Sequence, residues 1–191
     1  MQSGMRWVLL AGVATLALQT SAAEIVLEQS GVGKLVKKAL FKDNGRLMLL
    51  KGVCEAYLER PTVTLAGGRV QISSRLSGRF GANINGQCAG IGLASDTKVS
   101  GIPVAVGGVV RLRDIRIDEV TDPTTRRLLM DSRLSSLLPT AVDLDVQAAV
   151  KTLLAQSAED VQATVESFSF QEVSVVEDKL VLKFDFKLVG K

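Results

Sequence analysis

The chain has 191 residues, with 23 Lys and Arg against 20 Asp and Glu, no His, two Cys and a formal net charge of +3. So close a balance, with no clustered basic stripe, speaks against a nucleic-acid binder working by phosphate neutralisation. The missing histidine excludes Ser-His-Asp and Cys-His catalysis, His-ligated metals and an imidazole pH switch.

Residues 1–23 read as a cleaved secretory signal peptide. Arg6 precedes an apolar run from Trp7 to Leu18, and Gln19-Thr20-Ser21-Ala22-Ala23 supplies small residues at the cut. A run of that length makes about 18 Å of helix, short of the roughly 30 Å hydrocarbon core. No Cys follows the cut, so a lipidation signal is absent and residues 24–191 are expected as one domain in the periplasm. Export makes Cys54 and Cys88 readable: an even count in an oxidising compartment implies a disulfide. Their separation does not resemble a C-x-x-C redox pair.

In chain order, Glu24 to Gln29 reads as a strand with Ile25 and Leu27 on one face. Val32, Leu35, Val36, Ala39 and Leu40 then recur at helical spacing, with Lys34, Lys37, Lys38 and Lys42 elsewhere. Asp43-Asn44-Gly45 ends that helix, and Leu47–Leu50 leads into an antiparallel meander over 53–120. Tyr57, Val63 and Leu65 precede the hairpin signal Gly67-Gly68, after which Val70, Ile72, Leu76 and Phe80 alternate with polar residues. Asn85-Gly86 offers the next turn, and Gly101-Ile102-Pro103 is expected to interrupt the returning strand. Val110 and Leu112 share one parity and Ile115 and Ile117 the other, which predicts a bulge near Asp114 and a curved sheet.

A helical block follows, with Asp122 as cap, Pro123 at the first position, and Met130, Leu134, Leu137 and Leu138 as its face up to Pro139. Asp143 reads as the cap of a second helix with Val146, Ala149, Val150, Leu153 and Leu154 inward. Phe168, Phe170, Val173 and Val175, a turn at Glu177-Asp178-Lys179, and the alternating Leu180, Leu182, Phe184, Phe186 and Leu188 close the chain. The fold class is α+β.

Catalytic patterns fail on inspection. Ser30-Gly31-Val32-Gly33-Lys34-Leu35 lacks the first Gly and the Ser or Thr of a phosphate-binding loop, having Glu28 and Leu35 there. Ser95-Asp96-Thr97-Lys98 matches S-x-x-K without its companion motifs, and no G-x-S-x-G occurs. The acids Asp114, Asp118, Glu119, Asp143 and Asp145 show no calcium-loop spacing. A mature chain with one Tyr and no Trp also lacks the usual sugar-stacking platforms. The chain is read as no enzyme, with no cofactor and no metal.

Two surfaces remain. The apolar strand faces need cover and form either a filled core or a groove for acyl chains. Arg60, Arg69, Arg75, Arg79, Arg111, Arg113 and Arg116 fall on wet strand faces with the planar fork suited to phosphate or lipid headgroups, although the interspersed acids make a solvated face the first reading. The Lys-rich helix over 32–42 has the charge for transient contact with an anionic membrane, but its apolar stripe reads first as a packing face.

The order of EIVLEQSGVGKLVKKAL, VTLAGGRVQISSRLSG, VVRLRDIRIDEV, LLPTAVDLDVQAAVKTLL and VVEDKLVLKFDF resembles the YceB-like bacterial envelope proteins, which are related in fold to tubular lipid-binding (TULIP, BPI-like) proteins. The resemblance covers most of residues 24–188 through apolar positions, without a diagnostic motif. It implies a strongly curved antiparallel sheet wrapped around a long helix formed within 143–158, with a lumen for lipid tails. Val63, Leu65, Ile72, Leu76, Phe80, Ile115, Ile117, Phe170, Leu182, Phe184 and Phe186 are the candidate liners. The expected function is a periplasmic, non-catalytic binder or carrier of a lipid or other long apolar ligand. The alternative is an envelope interaction module with a filled core.

Overall fold

The chain alternates short tight turns with long alternating runs, and these runs become strands. The computed structural model describes residues 21–107, 109–131, 142–145, 148 and 163–190. Its elements are β1 (Ser21–Glu28), α1 (Gln29–Leu40), β2 (Arg46–Leu50), β3 (Ala56–Ala66), β4 (Arg69–Ile84), β5 (Gln87–Val106), β6 (Val109–Val120), α2 (Pro123–Asp131), β7 (Val142–Leu144), β8 (Ala163–Val176) and β9 (Lys179–Gly190). One antiparallel sheet has the order β2-β3-β4-β5-β6-β7 and a second has β1-β9-β8.

Three hairpins are closed by two-residue turns in which both residues have positive φ: Gly67-Gly68 at 57° and 73°, Asn85-Gly86 at 50° and 79°, and Glu177-Asp178 at 47° and 61°. That backbone matches the right-handed twist of the flanking strands. Asn83 Oδ1 accepts the Gly86 N–H at 3.0 Å and fastens the middle turn.

Bulges then decide which side chains face inward. In β3, Ala56 and Leu58 are buried; past Arg60-Pro61 the parity switches to Pro61, Val63 and Leu65. The β3–β4 register shifts between Glu59 and Thr62, and Arg60 has φ 54°. β6 switches twice. The expected slip lies at Asp114 (φ 50°), with a register shift between Ser100 and Ile102 on β5. A second shift between Lys98 and Val99 returns Val120 to the inner face, and the sequence reading had not included it. In β8 a shift between Phe170 and Glu172 carries the apolar positions from Phe168 and Phe170 to Val173 and Val175. Each bulge adds local twist and bend, and the six-stranded sheet curls into a half-barrel.

α1 leaves β1 with no side-chain cap and buries Val32 and Val36 completely. It packs on β3 and β7 of the half-barrel and on β1 and β9 of the smaller sheet. β8 lies against β5. Buried residues from both sheets, α1 and α2 join one apolar cluster.

The expected α+β fold with a sheet wrapped around a long helix is overturned. Strands hold 70% of the described residues and helices 16%, and the two named helices have 12 and 9 residues. Most of 143–158, where the long helix was expected, lies outside the described residues. Its start does not: Asp143 is in β7, opposite Arg111 of β6, and Leu144 is buried. Burying Leu144 while pairing Asp143 with a cation outweighs the capping propensity of Asp143. A capping geometry does occur two residues later, where Asp145 Oδ1 accepts the Ala148 N–H at 2.8 Å.

Further differences are local. β5 runs unbroken for 20 residues through Gly101-Ile102-Pro103: its pairing with β4 ends at Gly101, so among the described residues Pro103 pairs only with Leu112 of β6 and the strand's other edge is open there, where a missing N–H breaks no ladder. Asn44-Gly45 forms the turn into β2, while α1 ends at Leu40 with the Phe41 N–H donating to Lys37. α2 starts as expected, the Thr125 N–H donating to Asp122 Oδ2 at 2.6 Å. It buries Leu129, however, and leaves Met130 58% exposed; Leu134, Leu137 and Leu138 lie outside the described residues.

Candidate functional site

The candidate liners divide between the two sheets. β3, β4 and β6 carry Val63, Leu65, Ile72, Leu76, Phe80, Ile115 and Ile117, whereas β8 and β9 carry Phe170, Leu182, Phe184 and Phe186. Val63, Leu65, Leu76, Leu182 and Phe184 are buried and act as core. Ile72, Phe80, Ile115, Ile117, Phe170 and Phe186 are half-buried.

On the smaller sheet the aromatics satisfy one another. Phe168 stacks on Phe184 with ring centres 4.8 Å apart and meets Phe170 edge-on at 4.9 Å, and Phe184 to Phe186 is 5.9 Å. This cluster arises because Phe170 and Phe184 are direct cross-strand partners, as are Phe168 and Phe186.

The half-barrel leaves space instead. A cavity of ≈ 40 Å³ is lined by Leu40, Phe41, Leu47, Leu58, Ile72 and Ile115, with Val99, Gly101 and Leu112 beside them. Its two hydroxyl residues are already occupied: Ser74 Oγ lies 3.2 Å from Thr97 Oγ1, and Ser100 Oγ accepts from Arg69 Nε at 2.9 Å. The cavity therefore offers apolar contact with little polar preference. A second space of ≈ 10 Å³ is bounded by Leu49, Leu58, Leu76, Thr97, Val99, Ile117 and Leu129. Of the candidate liners, Ile72 and Ile115 border the first space and Leu76 and Ile117 the second. Leu40, Phe41, Leu47, Val99 and Leu112 were missed as liners; the helical period did mark Leu40 as inward, and the strand parity marked Leu112.

Several arginines expected on wet faces are structural. Arg69 spans β5 to reach β6, donating to Asp114 Oδ2 at 3.0 Å and to the Asp114 carbonyl at 2.5 Å, so it holds the bulge. Arg116 joins the same carboxylate at 2.7 Å. Hydrogen bonds from Arg69, then Arg116, hold Asp114 below the usual carboxylate range. Arg111 grips Asp143, Arg75 meets Asp96 at 3.4 Å, and Arg60, Arg79 and Arg113 form no ion pair among the described residues.

Cys54 and Cys88 form the expected disulfide, with Cα atoms 5.0 Å apart. It ties the segment before β3 to the far end of the β4–β5 hairpin, beyond the last pairing of β4 with β3. The S-x-x-K serine, Ser95, is 1% exposed and bonded to Thr121 and the Asp122 N–H. The Gly31-Val32-Gly33 segment lies within α1 and forms no phosphate loop. Among the described residues no group of three or more His, Cys, Asp or Glu is placed to hold a metal.

Neither a family model nor a curated protein matches the chain.

Proposed function

We propose that this is a periplasmic, non-catalytic binding or carrier protein for a lipid or another long apolar ligand, seated on the concave face of the half-barrel. The observation that carries the reading is the apolar cavity between Leu40, Phe41 and Leu47 on one side and Ile72 and Ile115 on the other, with its hydroxyls already bonded. Such a surface recognises by area, at about 0.8 kcal/mol per buried methylene. At ≈ 40 Å³ it receives the end of a chain, and the half-buried Ile72 and Ile115 must move aside for the rest. The resemblance to YceB-like envelope proteins supports the reading by analogy only.

The same small volume favours a second reading, an envelope interaction module whose interior is essentially filled. Native mass spectrometry of the protein purified from periplasm, followed by organic extraction and lipid analysis, separates the two. A reproducible extra mass matching an extracted lipid supports the binder. A bare polypeptide mass, together with no uptake of a fluorescent fatty acid, sinks it and leaves the interaction module.

A further inference from the structure

We infer that the outer face of the half-barrel carries a phosphate-binding site at the β3 bulge, with Arg60 and Arg75 as its two guanidinium donors. This goes beyond the concave-face reading and lies on the opposite side of the sheet.

A polar hollow of ≈ 260 Å³ opens there, bounded by Arg60, Thr62, Ser73, Ser74, Arg75, Asp96 and Thr97. Strand pairing creates it: Thr62 stands opposite Ser73, and Arg75 opposite Asp96, on adjacent strand pairs. Ser74 and Thr97 also border it, but their buried hydroxyls belong to the inner face, engaged with each other at 3.2 Å with the Thr97 hydroxyl also donating to the Ser74 carbonyl at 3.0 Å, and take no part in the outer site. The Thr62 hydroxyl and that of Ser73 make no hydrogen bond among the described residues and remain available.

Arg60 is the telling residue. Its φ of 54° lies in the left-handed region, which glycine accepts freely and a side chain with a Cβ does not. The bulge therefore holds an arginine where the backbone favours glycine. Arg60 borders the hollow and has no ion-pair partner among the described residues.

Arg75 is only loosely committed. Its contact with Asp96 is a single 3.4 Å approach between side chains that are 40% and 68% exposed. Asp96 opposes an anion, yet the two arginines leave the lining with a net positive charge. An incoming phosphate takes the place of Asp96 as the partner of Arg75, and the exposed carboxylate turns to solvent. Two planar donor forks with two hydroxyl donors match the tetrahedral oxygens of a phosphate group. A phospholipid headgroup and a soluble phosphate share that chemistry.

The test is a titration of the 15N-labelled protein with inorganic phosphate at constant ionic strength, paired with cosedimentation on phosphatidylglycerol and phosphatidylcholine vesicles. The expected result is saturable amide shifts at Thr62, Ser73 and Arg75, or selective sedimentation with phosphatidylglycerol. Arg60→Gly weakens either one by roughly tenfold or more, while its melting temperature equals or exceeds that of the parent. Arg75→Gln, which leaves the bulge untouched, serves as the second variant and weakens binding likewise. Saturable binding of free phosphate assigns a soluble source; binding only to the anionic vesicles assigns a headgroup. Absence of binding to both probes overturns the site, as does binding that both variants leave unchanged.

Discussion

Arg111 of β6 holds Asp143 of β7 through two parallel hydrogen bonds, Nε to Oδ1 at 2.6 Å and the terminal guanidinium nitrogen to Oδ2 at 2.8 Å. The fork fixes the edge strand of the half-barrel in register, with Leu144 buried beside it. The hydrogen bond from Arg111 holds the Asp143 carboxyl below its ordinary range. A lowered carboxylate contributes stability above its unfolded pKa, about 3.9, and loses it as pH falls through the lower folded value. Asp143→Asn is therefore expected to melt earlier than the parent at neutral pH and to converge with it in strong acid. Thermal melts across pH 2–7 check this; a pH-independent difference refutes it.

Arg69 and Asp114 couple β4 to the bulge of β6 across the whole width of β5. Arg69 has a side chain only 17% exposed, and its Nε also holds Ser100 Oγ. Arg69→Met keeps much of the apolar stem but releases both partners. Faster amide exchange at Asp114–Arg116 and a lower melting temperature are expected. Unchanged exchange there would show that the bulge stands without the arginine.

The disulfide closes a loop with a sequence separation of 34 residues. The chain-entropy argument gives it about 3–4 kcal/mol. Because Cys88 lies in the hairpin extension of β4 and β5, where neither strand pairs with a further strand among the described residues, much of the loss should be local. Replacing both cysteines by serine is expected to raise amide exchange first within residues 79–92. A global loss with no preferential opening of that hairpin would contradict the placement.

Gly78 sits at φ 126°, and a Cβ there would strike the Glu55 carbonyl oxygen and lie 2.8 Å from Ala56 Cα. Both obstacles are backbone, and the Arg79 N–H already donates to that carbonyl at 2.7 Å. Gly78→Ala should destabilise by about 2–3 kcal/mol in denaturant unfolding. A change below about 0.5 kcal/mol would mean that the strand can part at no cost.

Charge on the candidate liners separates fold from binding. Leu76 and Phe184 are 1% and 5% exposed, so Leu76→Glu or Phe184→Glu buries an unpaired carboxylate and is expected to unfold the protein. Ile72 and Ile115 are half-buried at the cavity rim. Ile115→Gln is expected to keep the circular dichroism spectrum and lose uptake of a fluorescent fatty acid. Retained uptake by that folded variant would move the ligand elsewhere.

Much of the local structure was legible in the residues themselves. Gly67-Gly68 and Asn85-Gly86 carry left-handed backbone almost without cost, so the hairpins follow from composition, and strict alternation after Val70 and Leu180 marks which face is apolar. The even count of two cysteines pointed to their pairing, and the change of phase between Leu112 and Ile115 pointed to the bulge at Asp114. The remaining decisions needed partners distant in sequence. Asp143 has the chemistry of a helix cap, and only the arginine brought opposite it by β6 makes it part of a strand. Arg60 carries no local sign that it will sit in a left-handed bulge beside Arg75. Leu40, Phe41 and Leu47 face Ile72 and Ile115 only because bulges curl the half-barrel and α1 packs on both β3 and β7. Turn and strand preferences act over a few residues and are written in the local chain, whereas curvature and cavities depend on where extra residues fall in paired strands, which the energy of the assembled sheet decides.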